Sequence, residues 1–152
     1  MDIYLYTCVL NRLTDDQSQP RIHAEALATE QVLDLVVAGD LRWIASTALR
    51  VELSRNPDAA KRAEMLPLLD FASTELKPTL EMIKLAIVLE TEGFGAFDAL
   101  HLAVCEQAGI EVLLSVDDRF MRKAARRAAP VATSVLNPID WLQRRATWLP
   151  KP

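Results

Sequence analysis

Short apolar runs alternate with longer stretches of helical periodicity along these 152 residues. The run Ile3 to Tyr6, continued by Thr7-Cys8-Val9-Leu10, has the length of a buried strand rather than a helix. The polar stretch from Thr14 to Pro20 marks a loop. From Arg21 to Val37, the residues Ala24, Leu27, Ala28, Val32, Leu35 and Val36 recur at helical spacing, and Gly39 supplies the stop. Leu41 to Ala45 reads as a second strand, with Ser46 or Thr47 capping a helix through Leu53. Pro57 suits the first turn of another helix that runs past Leu69. Phe71 to Leu76 fits either a short strand or a loop.

Pro78 opens a helix to about Glu92, ended by Gly93-Phe94-Gly95, and Phe97 to Ala108 forms the next, stopped by Gly109. Glu111 to Val116 is the clearest strand, because Val112-Leu113-Leu114 is apolar and bounded by turn signals. A helix from about Asp118 to Ala128, a strand near Val131 to Val135 and a short helix from Asn137-Pro138 carrying Trp141 and Leu142 complete the order. Strands separated by helices imply a parallel sheet covered on both faces. The length suits one domain, residues 1–146, with a loosely held tail over 147–152 that contains two prolines.

Composition narrows the function classes. Hydrophobic residues make up 51% and charged residues 25%, which excludes a disordered chain, and four glycines are too few for an all-β sandwich. No apolar run approaches the ~20 residues that span a bilayer, and the N-terminus has no secretory leader pattern. A cytoplasmic protein without a membrane partner is expected. Seventeen basic against 21 acidic residues give a net charge of −4, so nucleic acid would have to be met by a local basic patch. Cys8 and Cys105 show no paired spacing and read as free thiols in a reducing compartment. His23 and His101 fall in no zinc spacing.

In a parallel sheet the chemistry gathers beyond the carboxyl ends of the strands. Tyr6-Thr7 lies at one such end, and Asp117-Asp118 follows another, where an acidic pair equally serves as a helix cap. Asp98 sits in the first turn of a helix that is apolar on nearly every side, so its carboxylate needs a donor, a cation or the helix dipole. His101, one turn on, reads as a packing residue. Glu52, taken alone, fits a solvated helix face paired with Arg50 or Arg55. Arg119, Arg122, Lys123, Arg126 and Arg127 recur at three- and four-residue spacing on one face of the helix after Asp117, opposite Phe120, Met121, Ala124 and Ala125.

Three segments together carry a family likeness: the opening Ile3-Tyr4-Leu5-Tyr6-Thr7-Cys8-Val9-Leu10-Asn11-Arg12, then Phe97-Asp98-Ala99-Leu100-His101-Leu102-Ala103, then Leu114-Ser115-Val116-Asp117-Asp118-Arg119-Phe120. With the closing Leu136-Asn137-Pro138 they span nearly the whole chain, which resembles a PIN domain and specifically the VapC-like ribonuclease toxins of toxin–antitoxin pairs. The resemblance implies a five-stranded parallel sheet flanked by helices, and magnesium- or manganese-dependent cleavage of RNA by a metal-activated water. It also implies an acidic cluster whose second, third and fourth members fall on Glu52, Asp98 and Asp117, with Asp118 and Ser115 adjacent and Thr7 as the hydroxyl residue beside the first acid.

That first acid falls on Tyr6. A phenol with a reference pKa of ~10 carries no charge at neutral pH and supplies no anionic ligand, and Asp15 and Asp16 lie too far along the loop to be read as its replacement. The expected function is therefore a nuclease weakened or silenced at Tyr6, or a PIN-fold binding module that grips an antitoxin or RNA without cutting. Arg119, Arg122, Lys123 and Arg126 are the candidate contacts to RNA or to the cognate antitoxin. The apolar faces of the helices over 21–37 and 57–69 are candidates for homodimer or antitoxin docking, in competition with the chain's own core.

Overall fold

Five parallel strands form one sheet in the order β3-β2-β1-β4-β5. The computed structural model describes residues 1–127 and 132–148. The strands are β1 (Asp2–Leu5), β2 (Arg42–Ser46), β3 (Thr74–Leu76), β4 (Val112–Leu114) and β5 (Ser134–Leu136). The helices are α1 (Thr7–Asn11), α2 (Pro20–Val37), α3 (Thr47–Ser54), α4 (Ala59–Met65), α5 (Leu80–Thr91), α6 (Ala96–Ala108), α7 (Asp118–Ala125) and α8 (Pro138–Trp148), and a 3-10 turn covers Leu66–Phe71. The expected sheet flanked by helices is present. The predicted end of the basic helix at Ala128, the start of the last strand at Val131 and the tail from residue 149 lie outside the described residues. Among the described residues no helix is long and apolar enough to cross a membrane.

Sheet order is what makes a site. The chain winds outward from β1 through β2 to β3, then returns to the other side of β1 to lay down β4 and β5. Ile3 pairs with Trp43 on one side and Val112 on the other. The connections therefore diverge at the carboxyl ends of β1 and β4 and leave a crevice there. Central strands buried on both faces read as continuous apolar runs, and Ile3, Tyr4 and Leu5 are fully buried, as are Leu113 and Leu114.

Four boundaries depart from the sequence reading. The run Ile3 to Leu10 is not one strand, because the sheet ends at Leu5 and a helix starts at Thr7. Val9 and Leu10 are buried in either conformation, so a short apolar run does not tell the two apart. Pro57 precedes the helix rather than opening it: the Asp58 carboxylate accepts the N–H groups of Ala60 and Lys61 at 3.0 and 3.2 Å and sets the start at Ala59. That helix stops at Met65, where Pro67, with no N–H and a ring that crowds the preceding turn, shifts the chain into the 3-10 turn. The last helix is not short but runs 11 residues, with Asn137 Oδ1 accepting the Ile139 N–H at 2.8 Å. Elsewhere the caps fall close to expectation: Ser46 Oγ accepts the Leu49 N–H at 3.1 Å, and Gly109 closes α6 at φ 69°, a left-handed turn that glycine adopts without strain.

The faces considered for docking on the helices over 21–37 and 57–69 are largely spent on the core. Ala28, Val32 and Val36 of α2 are buried, as are Met65 and Leu69. On α2, Glu25 is also fully buried. It accepts from Arg12 Nε at 3.1 Å and from Asn137 Nδ2 at 2.5 Å, with Arg21 Nε at 3.5 Å. Arg12 also holds Asp15, and Arg21 reaches Asp118, so one buried carboxylate ties the ends of α1, α2, α7 and α8 together. Removing one partner of a buried ion cluster leaves the others uncompensated, and Glu25→Ala is expected to lower stability in urea unfolding by about 3 kcal/mol. A loss below about 1 kcal/mol, the scale of surface ion pairs, would contradict the clamp.

Candidate functional site

Each element ends where its functional side chain is needed. Tyr6 follows β1 in extended conformation (φ −71°, ψ 156°), and its N–H donates to Leu114 O of β4 at 3.1 Å. Ser46 ends β2, and Glu52 sits two turns on in α3. Asp117 follows β4 and caps α7, its Oδ1 accepting the N–H groups of Arg119 and Phe120 at 3.0 and 3.2 Å. Asp98 lies in the first turn of α6, with His101 one turn further.

The structure joins most of these residues through buried hydrogen bonds. Tyr6 donates its hydroxyl to Asp98 Oδ1 at 2.5 Å. Its ring meets His101 edge-on at 4.6 Å and Phe120 at 5.6 Å. His101 is fully buried, with Nε2 2.8 Å from Glu52 Oε2 and Nδ1 2.5 Å from the Tyr4 hydroxyl, which itself lies 2.6 Å from Ser46 Oγ. Because a carboxylate only accepts, Nε2 carries the hydrogen toward Glu52. In the neutral imidazole Nδ1 then accepts from Tyr4, and Tyr4 accepts from Ser46. Every proton in the chain Ser46–Tyr4–His101–Glu52 has a place to go.

Electrostatics keeps the phenol neutral. Burial, then the bond to Asp98 and the charge of Glu52, holds the Tyr6 hydroxyl far above its ordinary titration range, so it stays a donor. Burial also raises Asp98. The Tyr6 bond opposes that rise, while the charges of Asp117 and Glu52 add to it. Asp98 therefore lies within electrostatic reach of both Glu52 and Asp117.

The other expected residues fall into place as follows. Thr7 is buried in the first turn of α1, and its Oγ1 has no hydrogen-bond partner among the described residues. Ser115 is fully buried, its Oγ accepting the Asp117 N–H at 3.1 Å and lying 3.5 Å from Cys8 Sγ. Asp118 turns away to a two-pronged pair with Arg21, both bonds 2.8 Å, which holds its carboxyl below the usual range. Asp15 shares a small pocket of about 240 Å³ with Asp117, but Arg12 neutralises it at 2.7 Å.

Arg119, Arg122, Lys123 and Arg126 line a groove of about 820 Å³ with Arg127, Glu92 and Phe94. Phe120 and Ala124 on the other face of α7 are buried. Arg127 is locked between Glu92 and Glu106, and Lys123 donates to Gly93 O above the Phe94 ring. Among the described residues Arg119, Arg122 and Arg126 make no ion pair. The groove adjoins the acidic crevice through Phe94, which packs on Phe120, which packs on Tyr6.

Sequence reading assigned His101 to packing and offered Ser46 as a helix cap, and it gave Tyr4 no role of its own. The available signals were the alternation of Tyr4 and Tyr6 along one strand, which puts both rings on one face, and the one-turn spacing from Asp98 to His101.

A magnesium or manganese ion needs several free oxygen ligands, carboxylates foremost. Here Tyr6 brings no charge and occupies Asp98 Oδ1, His101 occupies Glu52 Oε2, and Asp117 Oδ1 is committed to the start of α7. Among the described residues no group of three or more His, Cys, Asp or Glu side chains is arranged to hold a metal ion. The donor set does not fit the ion that the resemblance implies.

A profile of the PIN domain family matches residues 3–126, and the chain belongs to that family. In fold it is similar to a chain of the VapBC2 structure from Rickettsia felis, solved bound to a DNA fragment from the promoter. That match has a TM-score of 0.62 and 15% identity, covering 90% of this chain and 98% of the other. It is also similar to PAE2754 from Pyrobaculum aerophilum, with a TM-score of 0.56 and 16% identity over 97% of this chain and 90% of the other. No curated protein matches it in sequence.

The Tyr6 bond has a titration signature. The proton on Asp98 is held more tightly in the folded than in the unfolded chain, so the stability it lends is full below the ordinary carboxylate pKa of ~4 and is lost as pH rises through the folded value. Removing the donor takes away the force that lowers that value. Carboxyl-detected NMR is expected to show Asp98 titrating at higher pH in Tyr6→Phe than in the native chain. An unchanged or lower titration midpoint would contradict the bond.

Proposed function

We propose that this chain is a VapC-like, toxin-type PIN protein whose ribonuclease site is silenced, and that it binds RNA without cutting it. The observation that carries the reading is the Tyr6 hydroxyl donating to Asp98, at the strand end where the resemblance expects the first acid. A neutral donor meets the need of a half-buried carboxylate that a cation would otherwise meet. Of the remaining acids, Asp98 feels the charges of Glu52 and Asp117, but one Asp98 oxygen is engaged by Tyr6 and one Glu52 oxygen by His101.

The groove on α7 supports the RNA reading. Arg119, Arg122 and Arg126, which make no ion pair among the described residues, place positive charge beside the crevice on a protein whose net charge is −4. Such a patch attracts a phosphate backbone with an affinity that falls as salt rises. Likeness to a chain of the VapBC2 structure supports a cognate antitoxin as the protein partner. The unpaired Cys8 and Cys105 suit action in a reducing cytoplasm.

The experiment pairs binding with turnover. The native chain is expected to bind single-stranded RNA in fluorescence anisotropy, more weakly as salt rises, and to leave it intact with magnesium or manganese. Replacing Arg122 and Arg126 by serine should weaken binding by roughly tenfold or more. Tyr6→Asp should cut the same RNA when either ion is added. A native chain that cuts RNA readily, or one that binds none and yields no nuclease on Tyr6→Asp, would overturn the proposal.

A further inference from the structure

A row of rings runs through the strand-end rim and out at both sides. Phe97 stacks on His101 with centroids 6.2 Å apart and planes at 27°, and His101 meets Tyr6 at 4.6 Å. Tyr6 packs on Phe120 at 5.6 Å, and Phe120 on Phe94 at 6.1 Å. A cation closes each end of the row. Lys123 Nζ lies 5.7 Å from the centre of the Phe94 ring, and the Arg55 guanidinium lies 5.6 Å from that of Phe97. Both are within the distance at which the negative face of a ring attracts a cation. The Lys123 end is the basic groove on α7, but the Arg55 end belongs to no surface used so far.

Arg55 is held in place and left accessible. It follows the last residue of α3, where the carbonyl end of a helix favours a cation, and it is exposed. Arg50 on the same helix is taken by Glu75 at 2.8 Å, and Glu52 is engaged by His101, while Arg55 makes no ion pair among the described residues. A guanidinium seated on an aromatic ring keeps a second planar face for a base and N–H groups for a phosphate. Sheet order sets Arg55 across the crevice from the arginines of α7. α3 leaves the end of β2 and α7 the end of β4, with β1 and the Tyr6–Asp98 bond between them. The middle of this path is acidic, through Glu52, Asp98 and Asp117, and repels a phosphate that both flanks attract. We propose that Arg55, seated on Phe97, is a second RNA contact on the far side of the crevice: a single strand held in the α7 groove crosses the rim and lays a base on the Arg55 guanidinium. The contact rests on the reading of the chain as an RNA binder and adds a preference for single strands, because a paired base has no open face to stack.

Fluorescence anisotropy with a labelled single-stranded RNA, and with the same RNA annealed to its complement, tests the contact. Arg55→Ser alters an exposed side chain and should leave the circular dichroism spectrum unchanged. It is expected to weaken single-strand binding roughly fivefold or more, the scale of one stacked base, and duplex binding less. Arg55→Lys keeps the charge without the plane, so it should recover the salt dependence of binding but not the native affinity for the single strand. If replacing Arg122 and Arg126 by serine weakens binding while Arg55→Ser does not, the second contact is overturned and the RNA-binding reading stands. Equal losses on strand and duplex, or native affinity in Arg55→Lys, would leave charge alone at Arg55 and overturn the stacked base. A native chain that binds no RNA would overturn the RNA-binding reading itself, and this contact with it.

Discussion

A half-buried carboxylate needs a counterpart, and at the crevice between β1 and β4 that counterpart is the hydroxyl of Tyr6, 2.5 Å from Asp98. Burial raises the titration of both groups, which keeps the phenol a donor and makes its proton the positive end that Asp98 accepts. The ring fills its surroundings as well, edge-on to His101 and packed on Phe120. His101 in turn fixes Glu52 through a relay anchored at Tyr4 and Ser46. One oxygen each of Asp98, Glu52 and Asp117 is consequently committed within the protein itself. Commitment of this kind favours a stable scaffold over a reactive one, since an oxygen already bonded within the protein is less available to an ion or a reacting phosphate.

The frame was legible because it follows from periodicity. The helix over 21–37, the strand over 111–116 and the stops at Gly93 and Gly109 all follow from apolar spacing and turn chemistry, and the structure agrees within a residue or two. The run from Ile3 to Leu10 was not legible, since an apolar segment of eight residues buries equally well as a strand or as a strand followed by a helix. Nor did sequence reveal that Asp58 takes the cap beside Pro57, a competition between two good start signals that only geometry resolves.

Within the site, residues at strand ends could be placed by topology, but the direction of their side chains could not. Asp117 and Asp118 are adjacent in sequence, yet one caps α7 and the other faces Arg21. His101 looked like core and is core by burial, while its two nitrogens bridge Tyr4 to Glu52. Long-range partners of this kind, Tyr6 with Asp98 or Glu25 with Asn137, are separated by most of the chain and leave no local periodic trace. The basic face of α7 is the opposite case: its spacing alone located the groove on a protein whose overall charge is acidic.

Manganese binding to the native chain, followed by electron paramagnetic resonance as free ion is titrated in, tests the hold of Tyr6 on Asp98 most directly. The account predicts no stoichiometric binding that depends on Asp98, so native protein and Asp98→Asn should leave the free-ion signal alike. A site occupied one to one in the native chain and lost in Asp98→Asn would show that the phenol leaves room for the ion, and would contradict the account.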